Sequence, residues 1–394
     1  MSGSALELLD LFTRWVHVIS GIMWIGNSLL FNWLDRQLEN PSGTSRTPRP
    51  AGTIWLLHSG GFYYVEKTLL DGAPLPKPLH WFKWQAYSTW WSGAGLLLVV
   101  YYLGGRALLV DSGSHLGGVA WGAGAMVGAW LFYEAVQRLV APKAPRIAAV
   151  AWVLGLASIA LVLLQTLNGR AAFLHVGAML GTIMVGNVVF TIVPSQRELV
   201  ASVAEGRGGD PAVSDRAKRV SIHNNYFTFP VLALMVSAHF PALYSYRQSW
   251  LVLGLLILGG VTARHVLNVR FSFPRWRLAL GGTIVGSVAG LYAVLQLGAN
   301  AAARPTGPTP LGPPDFAEVR HIIDRRCGTC HSAQPSDLSF GVAPGGVRYD
   351  TAEEILSYAA RIRERAVVTR TMPPGNKTGM TDVERETLGR WSAP

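Results

Sequence analysis

Residues 172–193, AFLHVGAMLGTIMVGNVVFTIV, decide the predicted fold class of this chain. The stretch contains one titratable side chain, His175. It is long enough to cross the hydrocarbon core of a bilayer as an α-helix, which takes about 20 residues. Similar stretches recur through the first three quarters of the chain, so we predict an all-α, polytopic membrane helix bundle. The eight predicted spans are residues 12–33, 86–104, 116–136, 147–166, 172–193, 220–240, 250–267 and 277–298.

The composition of the whole chain agrees with a membrane protein. Half of its 394 residues are hydrophobic, 14% are charged, and the mean hydropathy is +0.28. This is too apolar for a soluble globular protein of that length. The net charge of +11 would suggest nucleic-acid binding in a soluble protein. Here the excess of Lys and Arg lies in the loops between the predicted spans, so we expect no nucleic-acid partner.

The distribution of Lys and Arg among the loops predicts the orientation of the bundle. Every second loop is basic, whereas the loops between them contain only Arg106, Arg170 and Arg247. Because cytoplasmic loops carry the excess of Lys and Arg, we expect both termini on the side away from the cytoplasm, which is the periplasmic side in a bacterium. The basic loops are residues 34–85, 137–146, 194–219 and 268–277.

The segment Cys327-Gly328-Thr329-Cys330-His331 has the C-x-x-C-H spacing of a c-type haem attachment site. Both thiols would bond to the haem, and His331 would ligate the iron. The alternatives are a zinc half-site or a thioredoxin-like redox pair. These are the only two cysteines in the chain, however, and no βαβ pattern surrounds them. We therefore predict one covalent haem c, which also requires a C-terminus outside the cytoplasm.

The haem motif belongs to a predicted cytochrome c domain, residues 315–394. A Pro/Gly/Ala-rich segment, residues 299–314, precedes it and predicts an extended linker to the membrane domain, residues 1–298. An apolar stripe at helical spacing leads into the haem cysteines, and its members are Phe316, Val319, Ile322 and Ile323.

Met372 is the predicted second ligand of the haem iron, because a thioether can occupy the iron face opposite a histidine. Met380 is the only other methionine of this domain and is the alternative ligand. The patterns Thr351-x-x-Glu354 and Thr381-x-x-Glu384 predict capping boxes at the beginning of two helices.

Polar and titratable side chains inside the predicted spans form two sets, and such residues indicate function because they are costly in a membrane. The set near the predicted periplasmic face would hold a b-type haem or a metal ion between helices, unless each histidine only hydrogen-bonds a neighbouring helix. The set near the cytoplasmic face is either a substrate site or an interfacial ring of charged groups. The first set is His17, His175 and His239. The second is Glu134, His223, Asn224, Asn225, Arg264 and His265.

The cytoplasmic set combines hydrogen-bond donors, an acceptor and a guanidinium, which suits a planar, polar, anionic substrate. Arg264 could hold such an anion through two parallel hydrogen bonds. A histidine or Glu134 could serve as a general base. The loop segment 55–67, WLLHSGGFYYVEK, lies on the same side. It is apolar enough for the membrane interface and has Gly60-Gly61 where the chain can turn.

Several segments follow the pattern of one known family in the same order. They are HVISGIMWIGNSLLF (17–31), HSGGFYYVEK (58–67), HWFKWQAYSTWWSG (80–93), GNVVFTIVPSQ (186–196), HNNYFTFPVLALMVSAHFP (223–241) and TARHVLN (262–268). With the linker and the C-x-x-C-H domain, the chain resembles the bacterial membrane-bound urate oxidase (urate hydroxylase) family over nearly its whole length. One departure is Ser59, where we expect glycine.

The resemblance implies oxidation of urate to 5-hydroxyisourate, with electrons passed to the fused haem c. A respiratory terminal oxidase or a soluble cytochrome would then accept the electrons, and membrane lipid would surround the bundle. The resemblance supplies no catalytic residues, so Arg264, His265, His223 and Glu134 remain inferences from the sequence.

Two other interpretations stay open. One is a membrane-anchored cytochrome that takes electrons from a quinol or a partner dehydrogenase without urate turnover. The other is a haem sensor with an open sixth iron position, against which Met372 argues. The side on which urate binds is also open. Electrons from a cytoplasmic site must cross a hydrocarbon core of about 30 Å, and a relay such as haem b would then be needed.

Overall fold

The protein is represented by a computed structural model, which describes residues 3–38, 50–68, 75–103, 109–110, 114–207, 210–244, 248–302, 314–337 and 343–391. Within these ranges the chain is predominantly helical, which confirms the predicted all-α class. The helices of the first three quarters are α1 (Gly3–Gln37), α2 (Trp84–Leu96), α3 (His115–Ala135), α4 (Pro145–Thr166), α5 (Gly169–Asn187), α6 (Val193–Ala204), α7 (Pro211–Ser237), α8 (Pro241–Tyr244), α9 (Ser249–Val269) and α10 (Trp276–Ala302).

All eight predicted spans fall on helices. Among the described residues, six helical stretches are long and apolar enough to cross a membrane by length and composition. The predicted spans 86–104 and 220–240 fall on α2 and α7, which are not among these six; α7 carries several polar and charged residues. The six stretches are Leu8–Gln37, His115–Val140, Pro145–Thr166, Gly169–Ala204, Ser249–Val269 and Trp276–Gln296.

Local sequence explains where these helices begin. Ser114, Asn168 and Asp210 precede α3, α5 and α7, and the side chain of each accepts a backbone N–H of the first turn. Such N-caps satisfy donors that a helix leaves without an internal partner. Pro211 follows Asp210 at the first helical position, where its missing N–H costs nothing.

A π-helical segment, Val188–Ile192, joins α5 to α6. Pro194 lies near the beginning of α6 and has no N–H to donate to the preceding turn. The widened turn therefore coincides with a position where the regular hydrogen-bond pattern cannot continue. π-Helical turns are frequent at functional sites, and this one directly follows Asn187, whose side chain lies in the polar network described below. Further π-helical turns end α2 (Leu97–Tyr102) and α3 (Val136–Val140).

Helix α5 lies at the centre of the main hydrophobic core. Most of its residues are buried, and it packs against α2, α3, α4 and α7. Two glycines give aromatic rings room beside it. A Cβ atom at Gly122 of α3 would lie 2.6 Å from Nε2 of His175, and one at Gly186 would lie 2.2 Å from the indole nitrogen of Trp130.

The segment predicted as an interfacial loop forms an antiparallel β-hairpin, with strands β1 (Pro50–His58) and β2 (Gly61–Thr68). The predicted turn is present, but its two central residues are Ser59 and Gly60, with φ values of 49° and 77°. Two positive φ values are typical of the tight turns that match the twist of a hairpin. This hairpin is the one departure from helix among the described elements of the membrane domain.

The C-terminal residues form a separate small core. Helix α11 (Phe316–Arg326) places Val319, Ile322 and Ile323 inside it, as its sequence predicts. Both predicted capping boxes are present, at Thr351 and Thr381. The other elements are α12 (Ala352–Ser357), α13 (Ala359–Ile362), a π-helical turn (Arg363–Val368), two 3₁₀ turns (Pro344–Gly346 and Pro374–Asn376) and α14 (Asp382–Arg390).

The predicted linker, residues 299–314, lies mostly outside the described residues. Helix α10 continues to Ala302, and the chain is described again from Pro314. The boundaries predicted for the three domains therefore stay a prediction.

Candidate functional site

The His223-Asn224-Asn225 segment of α7 connects three neighbouring helices. Successive residues of an α-helix point about 100° apart, so each of the three side chains meets a different partner. His223 contacts Tyr133 of α3, Asn224 contacts Asn187 of α5, and Asn225 contacts α9. Helix α7 thus presents polar groups on two nearly opposite faces.

On the α9 face, Arg264 is 1% exposed. Its Nε donates a hydrogen bond to Oδ1 of Asn225 at 2.9 Å, and its Nη2 donates to Oγ of Ser28 in α1 at 3.3 Å. The guanidinium also lies 5.4 Å from the ring centroid of Phe229. Among the described residues it forms no ion pair with a carboxylate, so a buried cation is surrounded by neutral groups.

Asn268 completes this group of residues. Its Nδ2 donates to the same Oδ1 of Asn225 at 2.7 Å, while its own Oδ1 is buried and has no hydrogen-bond partner in the described part of the chain. Because a guanidinium can only donate, Arg264 fixes Asn225 Oδ1 as the acceptor, and Asn268 must then turn its amide nitrogen towards it. The free group at this place is therefore an acceptor. We call Arg264, Asn225, Asn268 and Ser28 the Arg264 site.

On the opposite face, Tyr133 is fully buried and lies 2.6 Å from Nδ1 of His223, measured from its hydroxyl oxygen. Asn187 donates to this hydroxyl at 3.3 Å and to Oδ1 of Asn224 at 2.8 Å. Asn224 in turn donates to the backbone carbonyl of Met184 at 2.9 Å. The indole of Trp152 lies 5.5 Å from the His223 ring. A continuous buried hydrogen-bond chain therefore joins α3, α5 and α7.

The other two predicted site residues have different partners. Glu134 accepts hydrogen bonds from Arg138 at 2.5 Å and from Arg216 at 2.7 Å, so its charge is balanced at the end of α3. His265 is exposed, and its Nδ1 lies 2.7 Å from the hydroxyl of Tyr226. No described contact brings Glu134 or His265 to Arg264. Their predicted role at one substrate site with Arg264 stays a prediction.

Sequence reasoning missed four residues of these two groups: Ser28, Tyr133, Asn187 and Asn268. All four have uncharged polar side chains, which can also hydrogen-bond within their own helix. Asn187 had the better signal, because it lies in an otherwise apolar stretch that ends at a proline. Asn268 ends the segment TARHVLN and lies one helical turn after Arg264.

The three predicted periplasmic-side histidines are not joined by any described contact. His17 Nδ1 lies 3.0 Å from the carbonyl of Thr89 and 3.1 Å from Oγ of Ser92. His175 is fully buried, with Nδ1 2.7 Å from the Ala171 carbonyl and Nε2 3.0 Å from the Tyr102 hydroxyl. His239 is exposed.

Both ring nitrogens of His175 are thus engaged, and this arrangement does not fit an iron ligand. A haem b or metal site at His17, His175 and His239 stays a prediction.

In the C-terminal domain, the residues of the haem motif fit covalent haem. Nδ1 of His331 lies 2.9 Å from the carbonyl of Val347. An imidazole that donates Nδ1–H to a carbonyl keeps Nε2 for a metal. Burial raises the pKa of the Cys327 thiol to about 12, and burial also raises the pKa of Cys330. Raised values keep both thiols protonated, whereas a redox pair requires a thiolate.

The two methionines of this domain differ in environment. Met380 is 3% exposed and belongs to the core, whereas Met372 is half-buried in the segment after the π-helical turn. Both backbone polar groups of Met372 are hydrogen-bonded. Its N–H donates to the backbone carbonyl of Arg365 at 3.0 Å, and its carbonyl accepts a hydrogen bond from the guanidinium of Arg385 at 2.9 Å. Arg385 is itself buried and also binds the Ala366 carbonyl and Asn376. A half-buried thioether on a fixed loop suits an iron ligand better than a core side chain.

Several long apolar helices around buried polar groups define a chain that is compatible with a membrane protein. A family model described as urate oxidase N-terminal matches residues 3–294, which is most of the chain and ends before the haem motif. The chain belongs to the urate oxidase N-terminal family. This membership indicates an oxidoreductase that acts in urate-related oxidation. Neither the search of curated proteins nor that of solved structures finds a match.

Proposed function

We propose that this protein is a membrane-bound urate oxidase that converts urate to 5-hydroxyisourate and delivers the electrons to a haem c in its C-terminal domain. A respiratory terminal oxidase or a soluble cytochrome would then take the electrons. The proposal places the chain in the bacterial inner membrane, with both termini in the periplasm. Family membership supports the reaction class, and the Arg264 site supports the kind of substrate.

The observation that carries the proposal is the buried charge of Arg264, which no carboxylate among the described residues compensates. An isolated charge is expensive to bury, and a protein normally provides a partner of opposite sign. Arg264 is surrounded by an amide, a hydroxyl and an aromatic ring, and none of them carries a negative charge. A bound anion would complete the site electrostatically.

The remaining groups of the site suit urate in particular. Urate is a planar anion whose ring alternates carbonyl oxygens with N–H groups. The guanidinium of Arg264 is a planar donor that matches two acceptors at once. The free Oδ1 of Asn268 is an acceptor and matches a ring N–H. A simple inorganic anion would satisfy the arginine but leave this acceptor without a partner.

Conversion of urate to 5-hydroxyisourate consumes one water and releases two electrons and two protons. Bound haem c would supply the one-electron acceptor for this oxidation. In this chain Cys327 and Cys330 would hold it covalently, and His331 and Met372 would ligate its iron. The membrane domain contributes binding and orientation of the purine, with the guanidinium of Arg264 stabilising its negative charge.

The test is anaerobic reduction of the purified, haem-loaded full-length protein. We expect addition of urate to produce the absorption bands of ferrous haem c, and xanthine, which lacks the C8 carbonyl, to produce much less. If a quinol reduces the haem while urate at high concentration does not, the protein is a membrane-anchored electron carrier instead. A pyridine haemochrome spectrum of the same sample would show whether haem b accompanies haem c.

A further inference from the structure

We propose that the Pro211 end of α7 carries a second anion-binding site, formed by His223, Arg219 and Gln137, for a planar heteroaromatic anion with ring N–H groups. It lies on the face of α7 opposite the Arg264 site. The inference rests on the proposed function, because urate is the anion of this class that the protein would handle. Under the proposed topology the Pro211 end of α7 is cytoplasmic, and Arg219 lies one helical turn nearer to it than His223.

The first step is the direction of the buried hydrogen-bond chain. A backbone carbonyl can only accept, so the atom of Asn224 that lies 2.9 Å from the Met184 carbonyl must be its amide nitrogen. The Oδ1 of Asn224 is then the acceptor for Asn187, at 2.8 Å. Asn187 must therefore turn its amide nitrogen towards Asn224, and the second hydrogen of that nitrogen points at Tyr133.

The second step fixes the tautomer of His223. Because the Tyr133 hydroxyl oxygen accepts from Asn187, its own hydrogen is directed to the nearest remaining acceptor, Nδ1 of His223 at 2.6 Å. In neutral histidine one ring nitrogen accepts and the other carries the hydrogen. The proton therefore resides on Nε2, which makes no hydrogen bond within the described residues. His223 offers an N–H donor, and Tyr133, Asn187 and Asn224 are positioning residues.

The third step is the charge beside this donor. Arg219 lies one helical turn before His223, and Arg216 one turn earlier, so all three share a face of α7. Arg219 is close enough to interact electrostatically with both His223 and Tyr133. The Nε atoms of Arg216 and Arg219 are buried without a hydrogen-bond partner in the described chain. Arg216 pairs through Nη2 with Glu134, whereas Arg219 forms no ion pair with a described carboxylate.

The fourth step supplies the acceptor. Tyr133 and Glu134, at the end of α3, reach His223 and Arg216 of α7, which lie on either side of Arg219 along that helix. Gln137 lies one turn after Tyr133, in the π-helical turn Val136–Val140 that ends α3. It is 2% exposed, and its Oε1 is buried without a partner among the described residues. An anion with ring N–H groups would satisfy this acceptor as well as the donors, whereas sulfate, which has no hydrogen to donate, would not.

The test is equilibrium binding of radiolabelled urate to the haem-loaded full-length protein under anaerobic conditions, with the haem already reduced so that no turnover occurs. We expect the wild-type protein to show two classes of site. Arg219→Gln should weaken one class by about tenfold or more and leave the other unchanged, since hydrogen bonds to charged groups contribute about 1.5–3 kcal/mol. Sulfate should compete poorly, because it has no hydrogen to donate to Gln137; equal competition would overturn the proposed role of Gln137.

Two variants of His223 test the direction of its hydrogen bond. His223→Gln keeps an N–H near the Nε2 position and should bind urate within a few-fold of wild type. His223→Glu replaces the N–H donor by a carboxylate, which is negatively charged like the ligand. This variant should lose this class of site. The reverse order would show that His223 accepts. The matched control is His80→Glu, at an exposed histidine whose ring packs edge-on against Phe82, and it should change neither class.

The outcomes separate this inference from the proposed function. If Arg264→Gln removes urate binding and neither Arg219→Gln nor His223→Glu changes it, the second site is refuted and the Arg264 site stands. Loss only in Arg219→Gln would support the second site and refute the Arg264 site. Complete absence of urate binding in the wild-type protein would refute both. Equal haem content and an unchanged far-ultraviolet circular dichroism spectrum in all variants establish that each has folded.

Discussion

The guanidinium of Arg385 donates a hydrogen bond to the backbone carbonyl of Met372 at 2.9 Å, from the last helix to the loop of the predicted iron ligand. The same side chain, which is 6% exposed, binds the Ala366 carbonyl and the Oδ1 of Asn376. One buried arginine thus binds Met372 itself and one residue on each side of it along the chain, Ala366 and Asn376. The position of the thioether depends on a residue that does not touch it.

We expect Arg385→Leu to loosen the Met372 loop, because buried carbonyls would lose their donor at a cost on the order of 3 kcal/mol. The holoprotein should unfold at lower denaturant concentration, and the long-wavelength absorption band of Met–iron ligation should weaken. Arg370→Leu is the control, since Arg370 forms a largely exposed ion pair with Asp382. That change should cost no more than about 1 kcal/mol. An unchanged absorption band in Arg385→Leu would contradict this role.

Met372 and Met380 should respond differently to substitution. Met372→Ala should lower the reduction potential by on the order of 0.1 V, because loss of an axial thioether removes a ligand that raises it. Met380→Ala should leave the potential unchanged but destabilise the domain by about 2–5 kcal/mol, because Met380 lies in the core. Redox titration and chemical unfolding of both variants separate the roles. A fall in potential for Met380→Ala alone would identify Met380 as the ligand.

The sequence was sufficient for the helices but not for the hairpin. Apolar runs of about 20 residues leave few alternatives to a membrane helix, and all eight fall on helices in the structure. The strands β1 and β2 had a signal, since residues 54–66 are rich in aromatic and β-branched residues around a two-residue turn. The same apolar character suggested an interfacial loop, and the segment was too short for periodicity to decide.

The site was only partly predictable for a different reason. Arg264 and His223 stand out because charged and titratable groups are rare in membrane spans. Asn187 and Asn268 do not stand out, because an uncharged side chain gains meaning only from its partner across the bundle. The structure also separates Asn224 and Asn225 onto different faces of α7. Because Asn224 and Asn225 are adjacent in the sequence, they were predicted to belong to one site. The helix directs their side chains to two different sites.

The Arg326–Glu384 pair should make the C-terminal domain sensitive to acid. Nε of Arg326 donates to both carboxylate oxygens, at 2.9 and 3.1 Å. Burial alone would raise the pKa of Glu384, but the backbone N–H of Thr381 and the Arg326 guanidinium outweigh burial and lower it. A lowered pKa stabilises the folded state above the unfolded carboxyl's pKa of about 4.3, and this stabilisation is lost as the pH falls below it.

Glu384→Gln should therefore destabilise the domain at pH 7, and its difference from wild type should shrink steadily below about pH 4. Denaturant unfolding followed through the haem absorption at several pH values measures this. Glu386→Gln, at an exposed carboxylate of the same helix, should show no comparable pH dependence. A difference that stays constant down to pH 3 would contradict the assignment.

Ser59 offers a test of the hairpin. Its φ of 49° lies in the left-handed region, which costs a residue with a Cβ atom roughly 1 kcal/mol relative to glycine. Ser59→Gly should therefore slow cleavage of the β1–β2 turn by added protease, as long as relief of strain exceeds the extra freedom of the unfolded chain. Gly60→Ser, at a φ of 77°, should accelerate it. Faster cleavage of Ser59→Gly would show that strain is not what limits the turn.

Arg264 is the residue whose loss should matter most for urate. Arg264→Gln keeps a polar side chain but removes the buried charge, and a charge-assisted hydrogen bond contributes about 1.5–3 kcal/mol. We expect the Kd or KM for urate to rise about 10- to 100-fold, while haem content and the reduction potential of the haem stay at wild-type values. Arg277→Gln is the control, because Arg277 lies over the Trp276 ring outside the site. If Arg264→Gln instead lowers haem content and leaves the KM for urate unchanged, the arginine supports the fold of the bundle, and urate binds elsewhere.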